Sequence, residues 1–203
     1  MFVEDARRLL TGVEEAINRA RERGKPQRLT LALRPGTGQG ALAQIISTYQ
    51  EQFTGPAIGV HFTYAQEEAL RDGTAQVALT CQVEPLADDL SSIHVEDEVA
   101  VAVLPAGHPF AAQSSVRLAD LEALPTYRAH APLIGLETIL DRVAIGLEVF
   151  VVGGSVAASL RPSLTAVRVA DAPDASLRLA WRPEQEDPAR DKFLAVARTV
   201  LHV

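Results

Sequence analysis

The sequence predicts an α/β fold, and three observations support this prediction. Apolar runs of strand length alternate with segments of helical periodicity over residues 29–80. The connections between them are short, as in right-handed crossover units. The run AQVALT (75–80) is mostly apolar, which is typical of a buried parallel strand. The 203-residue chain, 47% of it hydrophobic, is long enough to bury a substantial core.

The early elements follow from local patterns. LTLAL (29–33) and IGVHF (58–62) are predicted strands, as is AQVALT. Helices are predicted over 41–53 and over 66–73, and the second of these ends at Gly73. Residues 3–24 form a separate amphipathic pattern with acidic residues first and arginines last, which suits the helix dipole. This segment is either a helix docked on its own domain or a connector or dimerisation helix.

The pattern changes after Leu90, because SIHVEDE and VAVAVLP (91–105) follow each other without an intervening helix. AGHPFA is predicted to form a turn served by His108. The remaining predicted strands are 126–128, 147–152, 165–169 and 176–182, and the remaining predicted helices are 118–123, 135–146, 155–160 and 187–201.

Composition excludes several classes of function. The net charge of -7 argues against direct nucleic-acid binding, which needs clustered cations. Cys81 is the only cysteine, so neither an intramolecular disulfide nor a cysteine-rich zinc site is possible. The charged first thirty residues do not resemble a signal peptide, and no run reaches the length of a membrane span. A cytoplasmic protein without membrane association is therefore expected.

The glycine-rich segment PGTGQGA (35–41) lies between a predicted strand and a predicted helix. Its glycines allow a tight turn that presents N–H groups at a helix N-terminus, where an anion is stabilised. The spacing also fits a dinucleotide-binding turn, but the second strand ends at Phe62–Thr63–Tyr64 and lacks the required acid. A small-anion site, a plain tight turn and a dinucleotide site remain the three interpretations, in that order of preference.

No catalytic or metal-binding constellation is predicted. The sequence contains no GxSxG, P-loop or HExxH motif, so no enzyme activity, catalytic residue or cofactor is expected. Cys81 follows an apolar strand and is interpreted as a buried, inert thiol. The acidic run 96–98 is interpreted as a solvated hinge or strand edge. The histidines lack metal-ligand spacing; they are His61, His94, His108, His130 and His202.

Taken together, the order of these segments resembles the effector-binding (regulatory) domain of LysR-type transcriptional regulators, with the end of their linker helix. The resemblance covers nearly the whole chain, and its EALRDG and VAVLPAGHPFA blocks are its most specific parts. The segments that carry it are QRLTLALRPGTGQGALAQIISTYQEQF, EEALRDGTAQVAL, EDEVAVAVLPAGHPFA, VRLADLEALP and LRLAWRPEQEDPARDKFLAVARTVL.

The resemblance implies a two-lobe, periplasmic-binding-protein-like (type 2) α/β fold preceded by a linker helix. Residues 1–27 correspond to the linker helix, 28–97 and 165–203 to lobe one, and 98–164 to lobe two. Lobe two looks shortened, because the family usually has a further helix and strand between His130 and Gly135. The family's winged helix-turn-helix is not among these residues, so DNA contact is expected only through such an N-terminal domain.

The resemblance also implies a function and a set of site residues. In the family, a small effector, often a carboxylate, binds between the lobes, and the domains associate as dimers or tetramers through helices that correspond to about 41–52 and 136–146. The alternative is a structural or dimerisation module whose pocket has degenerated and binds no ligand. Carried over by position, the effector-binding residues are Gly36, Thr37, Gly38, Gln39, Thr63, Gln82, Arg128 and His130.

Overall fold

The computed structural model describes residues 28–35, 40–53, 56–130, 132 and 134–203. These residues form two compact units. The first contains the described residues up to Thr80, together with Leu86–Val95 and Arg178–Val203. The second contains Cys81–Pro85 and Glu96–Leu177. The predicted helix over residues 3–24 lies outside the described part of the chain.

The first unit is built on a five-stranded sheet with the strand order β2-β1-β3-β10-β4. Strand β1 pairs in parallel with β2 and β3, which confirms the predicted parallel arrangement. The strands of this sheet are β1 (Leu29–Leu33), β2 (Ile58–Phe62), β3 (Val77–Gln82), β4 (Ser91–Glu98) and β10 (Ala175–Trp181).

Among the described residues of the first unit, three segments are helical: α1 (Ala41–Gln52), α2 (Gln66–Arg71) and α5 (Pro188–Leu201). Helix α1 begins after Gly40, whose φ of 64° favours glycine. It buries Tyr49, whose ring lies 5.6 Å from that of Phe193 on α5. The Asp187 carboxylate starts α5 by accepting hydrogen bonds from two main-chain N–H groups. Packing between α1 and α5 therefore encloses an aromatic part of the core.

The second unit is built on another five-stranded sheet, with the order β6-β9-β5-β8-β7. Strand β5 runs antiparallel to both of its neighbours, whereas β6 and β7 pair in parallel with β9 and β8. These strands are β5 (Ala100–Pro105), β6 (Ser115–Val116), β7 (Tyr127–Arg128), β8 (Val149–Gly153) and β9 (Leu164–Val169).

The core of the second unit has two layers, one on each face of β5. Ala102 and Leu104 contribute to the layer that contains Leu121, whereas Val103 contributes to the layer that contains Phe150. Alternate residues of one strand point to opposite faces, so covering both faces buries β5 from Ala100 to Leu104. The helices of this unit are α3 (Leu118–Glu122), α4 (Leu136–Ala144) and the 3₁₀ helices Pro109–Ala112 and Gly154–Ser159.

The structure differs from the sequence prediction in the sheet to which strand 165–169 belongs. The prediction placed this strand in lobe one, but β9 pairs with β5 over five residue positions, from Val101↔Arg168 to Pro105↔Leu164. The second unit accordingly extends to Leu177. An apolar strand pattern identifies a strand without identifying its neighbours, because the choice of partner depends on contacts distant in sequence.

Other local predictions were confirmed, with small shifts in the bounds of the elements. The predicted strand 75–80 begins at Val77 and continues to Gln82, and the short helix after β2 ends before Gly73, which has a φ of 79°. His108 serves its turn as predicted, because its Nδ1 accepts a hydrogen bond from the Phe110 N–H (3.1 Å). Within the described residues, no helix combines the length and apolar character needed to cross a membrane.

Candidate functional site

The carboxyl ends of β1 and β2 place the predicted site residue Thr63 at one edge of the first sheet. Its N–H donates to the Leu33 carbonyl oxygen (2.9 Å), which extends the pairing of the two strands by one residue. Its hydroxyl oxygen accepts a hydrogen bond from the Ala65 N–H (3.0 Å), a turn that leads into α2. Thr63 is thus fixed by main-chain contacts at the edge where open α/β sheets bind ligands.

A positively charged residue that was not predicted as a site residue, Arg34, also lies at this edge. Arg34 follows β1 directly, and its guanidinium carbon lies 5.8 Å from the centre of the Tyr64 ring. This stacking holds a permanent positive charge near Thr63. Its position in the sequence could have identified Arg34, because Arg34 and Tyr64 follow the ends of two neighbouring strands, β1 and β2. Nearby, the buried Gln66 side chain donates to the Leu79 carbonyl oxygen (3.4 Å).

Gln82 is the last residue of β3 and belongs to the second unit, like the preceding Cys81. Both residues are half-buried, so Cys81 is less enclosed than predicted. The remaining predicted residues from the glycine-rich turn, Gly36, Thr37, Gly38 and Gln39, lie outside the described residues. Their assignment to an effector site stays a prediction.

In the second unit, Arg128 ends β7 and is about half exposed. Its Nη1 donates to two main-chain carbonyl oxygens, those of Pro125 (3.0 Å) and Tyr127 (2.8 Å). Its Nε lies 3.7 Å from Oε1 of Glu148. His130 follows two residues later and is exposed. The structure thus places both predicted residues on the segment after β7, and it shows that Arg128 is held in position by its own unit.

Glu148 precedes β8, and its side chain is only 13% exposed. It accepts two hydrogen bonds from Arg142 on α4, from Nε at 2.5 Å and from Nη2 at 2.8 Å. These hydrogen bonds, and the charges of Arg142 and Arg128, hold the pKa of Glu148 below its usual value of 4.5, although partial burial acts in the opposite direction. The same pairing raises the pKa of Arg142.

We refer to Arg128, Arg142 and Glu148 as the Arg128 cluster. Two guanidinium groups surround one carboxylate, which leaves a net positive charge that suits an anionic group. Arg142 and Glu148 were not predicted as site residues, because a six-residue separation does not show that the turn after α4 brings the two side chains together. No group of three or more potential metal ligands occurs among the residues that the structure describes.

Three comparisons with known proteins bear on this architecture. The sequence model of the LysR substrate binding domain matches residues 22–133, which is more than half of the chain. The match ends three residues after His130, where the sequence analysis located the departure from the family pattern. No curated protein matches the chain.

Solved structures of LysR-type regulators share the fold. Full-length CbnR in complex with its target DNA superimposes with a TM-score of 0.69 at 18% identity, covering 100% of this chain and 81% of CbnR. The BenM effector-binding domain with its effector benzoate gives 0.65 at 17% identity, covering 85% and 91%. The regulatory domain of a Pseudomonas aeruginosa OxyR variant gives 0.66 at 21% identity, covering 88% and 100%.

The two α/β units are those of a periplasmic-binding-protein-like (type 2) fold, as the sequence predicted. The proteins with solved structures of this fold include CbnR, a LysR family transcriptional regulator, and the regulatory domain of OxyR. The chain belongs to the LysR substrate-binding domain family.

Proposed function

We propose that this chain senses a small anionic metabolite as the effector-binding domain of a LysR-type transcriptional regulator. The observation that carries the proposal is the family match over residues 22–133. The BenM domain of the same fold has been solved with its carboxylate effector benzoate. We further propose that the chain is not catalytic and that DNA contact is made through a winged helix-turn-helix N-terminal to these residues. Its cytoplasmic location stays a prediction.

The chemistry of the predicted site residues supports an anionic effector. In the first unit, the Thr63 hydroxyl and the Arg34 guanidinium lie at the carboxyl edge of the parallel strands. In the second unit, Arg128 supplies a permanent cation. Hydroxyl and guanidinium donors are the groups that bind carboxylates in proteins. We propose these residues, with Gly36–Gln39, Gln82 and His130, as the effector ligands expected from the family.

The test is a thermal-shift and calorimetric screen of the chain with small carboxylates, benzoate among them. A ligand at about 100 times its Kd adds about 2.7 kcal/mol to the free energy of unfolding. We expect at least one carboxylate to raise Tm at millimolar concentration, and Arg128→Gln to weaken its binding. Arg168→Gln is the matched control, because Arg168 is an exposed arginine on β9 of the same unit.

A second pair of variants examines the first unit. Thr63→Val removes the hydroxyl and is expected to weaken binding, whereas Thr63→Ser retains the hydroxyl and is expected to bind as the parent does. If no carboxylate raises Tm at millimolar concentration, effector sensing is the wrong function and the alternative of a structural module without a ligand gains support.

Self-association as a dimer or larger oligomer is the second part of the proposal. Four large apolar side chains are exposed, two on the edge strand β2 and two directly after helix α4, which the family resemblance assigns to dimer contacts. They are Val60 (46% exposed), Phe62 (61%), Ile145 (71%) and Leu147 (54%). Val60 and Phe62 share one face of an edge strand, and an exposed edge of this kind favours pairing with another chain.

Light scattering of the chain at micromolar concentration tests this second part. We expect a dimer or larger species, and we expect Phe62→Ser or Ile145→Ser to shift the distribution towards the monomer. Val203→Ser is the control, because Val203 is equally exposed (70%) but lies at the other end of the sequence from β2 and outside α4. A monomeric parent chain would contradict both the oligomer and the alternative of a dimerisation module.

A further inference from the structure

In the Arg128 cluster, the Glu148 carboxylate lies closer to Arg142 than to Arg128. Glu148 makes two hydrogen bonds to Arg142, at 2.5 and 2.8 Å, but its nearest approach to Arg128 is 3.7 Å. The planar guanidinium of Arg142 therefore satisfies both carboxylate oxygens in a bidentate arrangement. Arg128 is left beside the carboxylate without a hydrogen bond to it.

Because Glu148 binds Arg142 and not Arg128, two donor nitrogens of Arg128, Nε and Nη2, have no hydrogen bond to it. Its Nη1 is occupied by the carbonyl oxygens of Pro125 and Tyr127, which anchor the side chain to its own segment. Among the residues that the structure describes, neither Nε nor Nη2 of Arg128 has a hydrogen-bond acceptor within bonding distance. A planar anion could bind these two nitrogens side by side, as carboxylates do.

Glu148 is the main obstacle to such binding. It lies 3.7 Å from the Arg128 Nε, and its side chain is mostly enclosed, so water screens its charge only in part. A small movement of its carboxylate would place it on the Arg128 Nε and block an incoming anion. Arg142 opposes that movement, because it offers the same carboxylate two shorter hydrogen bonds.

We infer that Arg142 is a positioning residue for effector binding: it holds Glu148 away from Arg128 and so keeps two Arg128 donors open to the carboxylate of a ligand. This inference rests on the proposed function, because it assumes that Arg128 contacts the effector. It adds that the affinity of this site is controlled by two residues that do not themselves contact the ligand. Removal of Arg142 transfers Glu148 to Arg128.

The experiment uses the 203-residue chain with ¹⁵N-labelled arginine side chains, and the Arg128 Nε–H signal is assigned by its loss in Arg128→Gln. Exchange of this proton with water is measured without ligand in the parent chain, Arg142→Gln, Glu148→Gln and the double variant. We expect Arg142→Gln to slow the exchange by roughly threefold, because Glu148 then accepts a hydrogen bond from Nε. The double variant is expected to exchange as Glu148→Gln does.

Benzoate is then titrated into the same four proteins, and the Arg128 signal is followed. Arg142→Gln is expected to weaken binding by about threefold to fivefold, and Glu148→Gln to strengthen it by a similar factor. The double variant is expected to bind as tightly as Glu148→Gln. A simple loss of local structure in Arg142→Gln would not be reversed by a second substitution. Arg142→Lys keeps the charge but loses the bidentate contact, and its affinity is expected to lie between those of the parent and Arg142→Gln.

The outcomes separate this inference from the proposed function. If benzoate moves the Arg128 signal with equal affinity in the parent chain and in Arg142→Gln, the positioning role is wrong and the effector role of Arg128 stands. If benzoate moves no arginine signal but Arg142→Gln still slows Nε–H exchange, the movement of Glu148 is supported and Arg128 is not a benzoate ligand. Unchanged exchange in Arg142→Gln overturns the inference.

Discussion

The two units hold their candidate site residues by different kinds of interaction. In the first unit, Thr63 is fixed by hydrogen bonds to the main chain of neighbouring residues. In the second unit, Arg128 is fixed partly by main-chain carbonyl groups and partly by a charge cluster with Arg142 and Glu148. The backbone therefore determines the position of a short polar side chain, whereas long charged side chains depend on one another.

The cores differ in a related way. One part of the first unit's core packs small side chains of the sheet against helix α2, with Ala32, Ala78 and Ala180 buried next to Leu70, whereas another part contains Tyr49 and Phe193. In the second unit, larger residues cover both faces of β5.

The largest expected effects test whether the two cores act separately. Phe193→Ala in the first unit and Phe150→Ala in the second each remove a fully buried ring, at a cost of about 3–5 kcal/mol. Trp181 is the only tryptophan and belongs to the first unit, so its fluorescence reports on that unit. In urea unfolding followed by this fluorescence, we expect Phe193→Ala to lower the midpoint more than Phe150→Ala does.

Circular dichroism, which reports on both units, provides the reference measurement for these variants. Val203→Ala is the control, because its side chain is 70% exposed. Equal shifts of the fluorescence midpoint in both phenylalanine variants would show that the two units unfold together. The two cores would then not have separate stabilities.

A smaller effect is expected at Gly154, a closely packed glycine of the second unit. A Cβ added at Gly154 would lie 2.6 Å from Cγ2 of Val99 and 3.2 Å from its carbonyl oxygen, so Val99 or the 3₁₀ helix must move. We expect Gly154→Ala to lower the free energy of unfolding by about 1–3 kcal/mol, measured by urea unfolding.

Gly107 provides the matched control for this substitution, because a Cβ there would meet nothing within 4 Å. Gly107→Ala is expected to leave stability unchanged or to raise it by about 0.5 kcal/mol, because alanine has fewer conformations in the unfolded chain. If both alanine variants behave alike, tight packing around Val99 does not determine the position of the 3₁₀ helix.

The smallest expected effect compares a tyrosine in each unit. Tyr49 is 1% exposed, and its hydroxyl has no hydrogen-bond partner among the described residues. Burial first, and Asp187 second, raise the pKa of Tyr49 above 10.0. The unfolded chain therefore loses the phenol proton first, and the free energy of unfolding falls as pH rises above about 10. Tyr49→Phe is expected to change stability at pH 7 by less than about 1 kcal/mol and to reduce this alkaline loss.

Tyr127→Phe is the counterpart in the second unit. Its ring is half-buried, and burial followed by Glu122 also raises the pKa of Tyr127. Chemical denaturation at pH 7 and pH 10.5 measures both variants. We expect the larger gain in alkaline stability for Tyr49→Phe, because Tyr49 is the more completely buried of the two. A larger gain for Tyr127→Phe would contradict burial as the main cause of the raised pKa of Tyr49.

Much of the first unit was predictable from the sequence. Strands β1 and β2 have the predicted bounds, and the parallel order follows from the strand–helix alternation. Thr63 was carried over from the family resemblance by its position after β2, and the structure shows it at the edge where β1 and β2 end. Arg34 follows β1 at the same edge but was not carried over.

The second unit was less predictable. Its strands were found, but strand 165–169 was assigned to the wrong sheet, because its antiparallel pairing with β5 joins residues about sixty positions apart. The contact between Arg142 and Glu148 depends on the end of α4 and on the left-handed turn at Gly146, which has a φ of 76°. A side-chain contact of this kind leaves no signature in the local periodicity of the sequence.

The sequence by itself determined the class of fold, the elements and the family. These features are encoded locally, by hydrophobic period, by turn residues and by the order of the segments. Only the tertiary structure decided which sheet β9 joins and which arginine Glu148 binds. The first depends on pairing between residues about sixty positions apart, and the second on how side chains are arranged after α4. Neither leaves a signature in the local hydrophobic pattern.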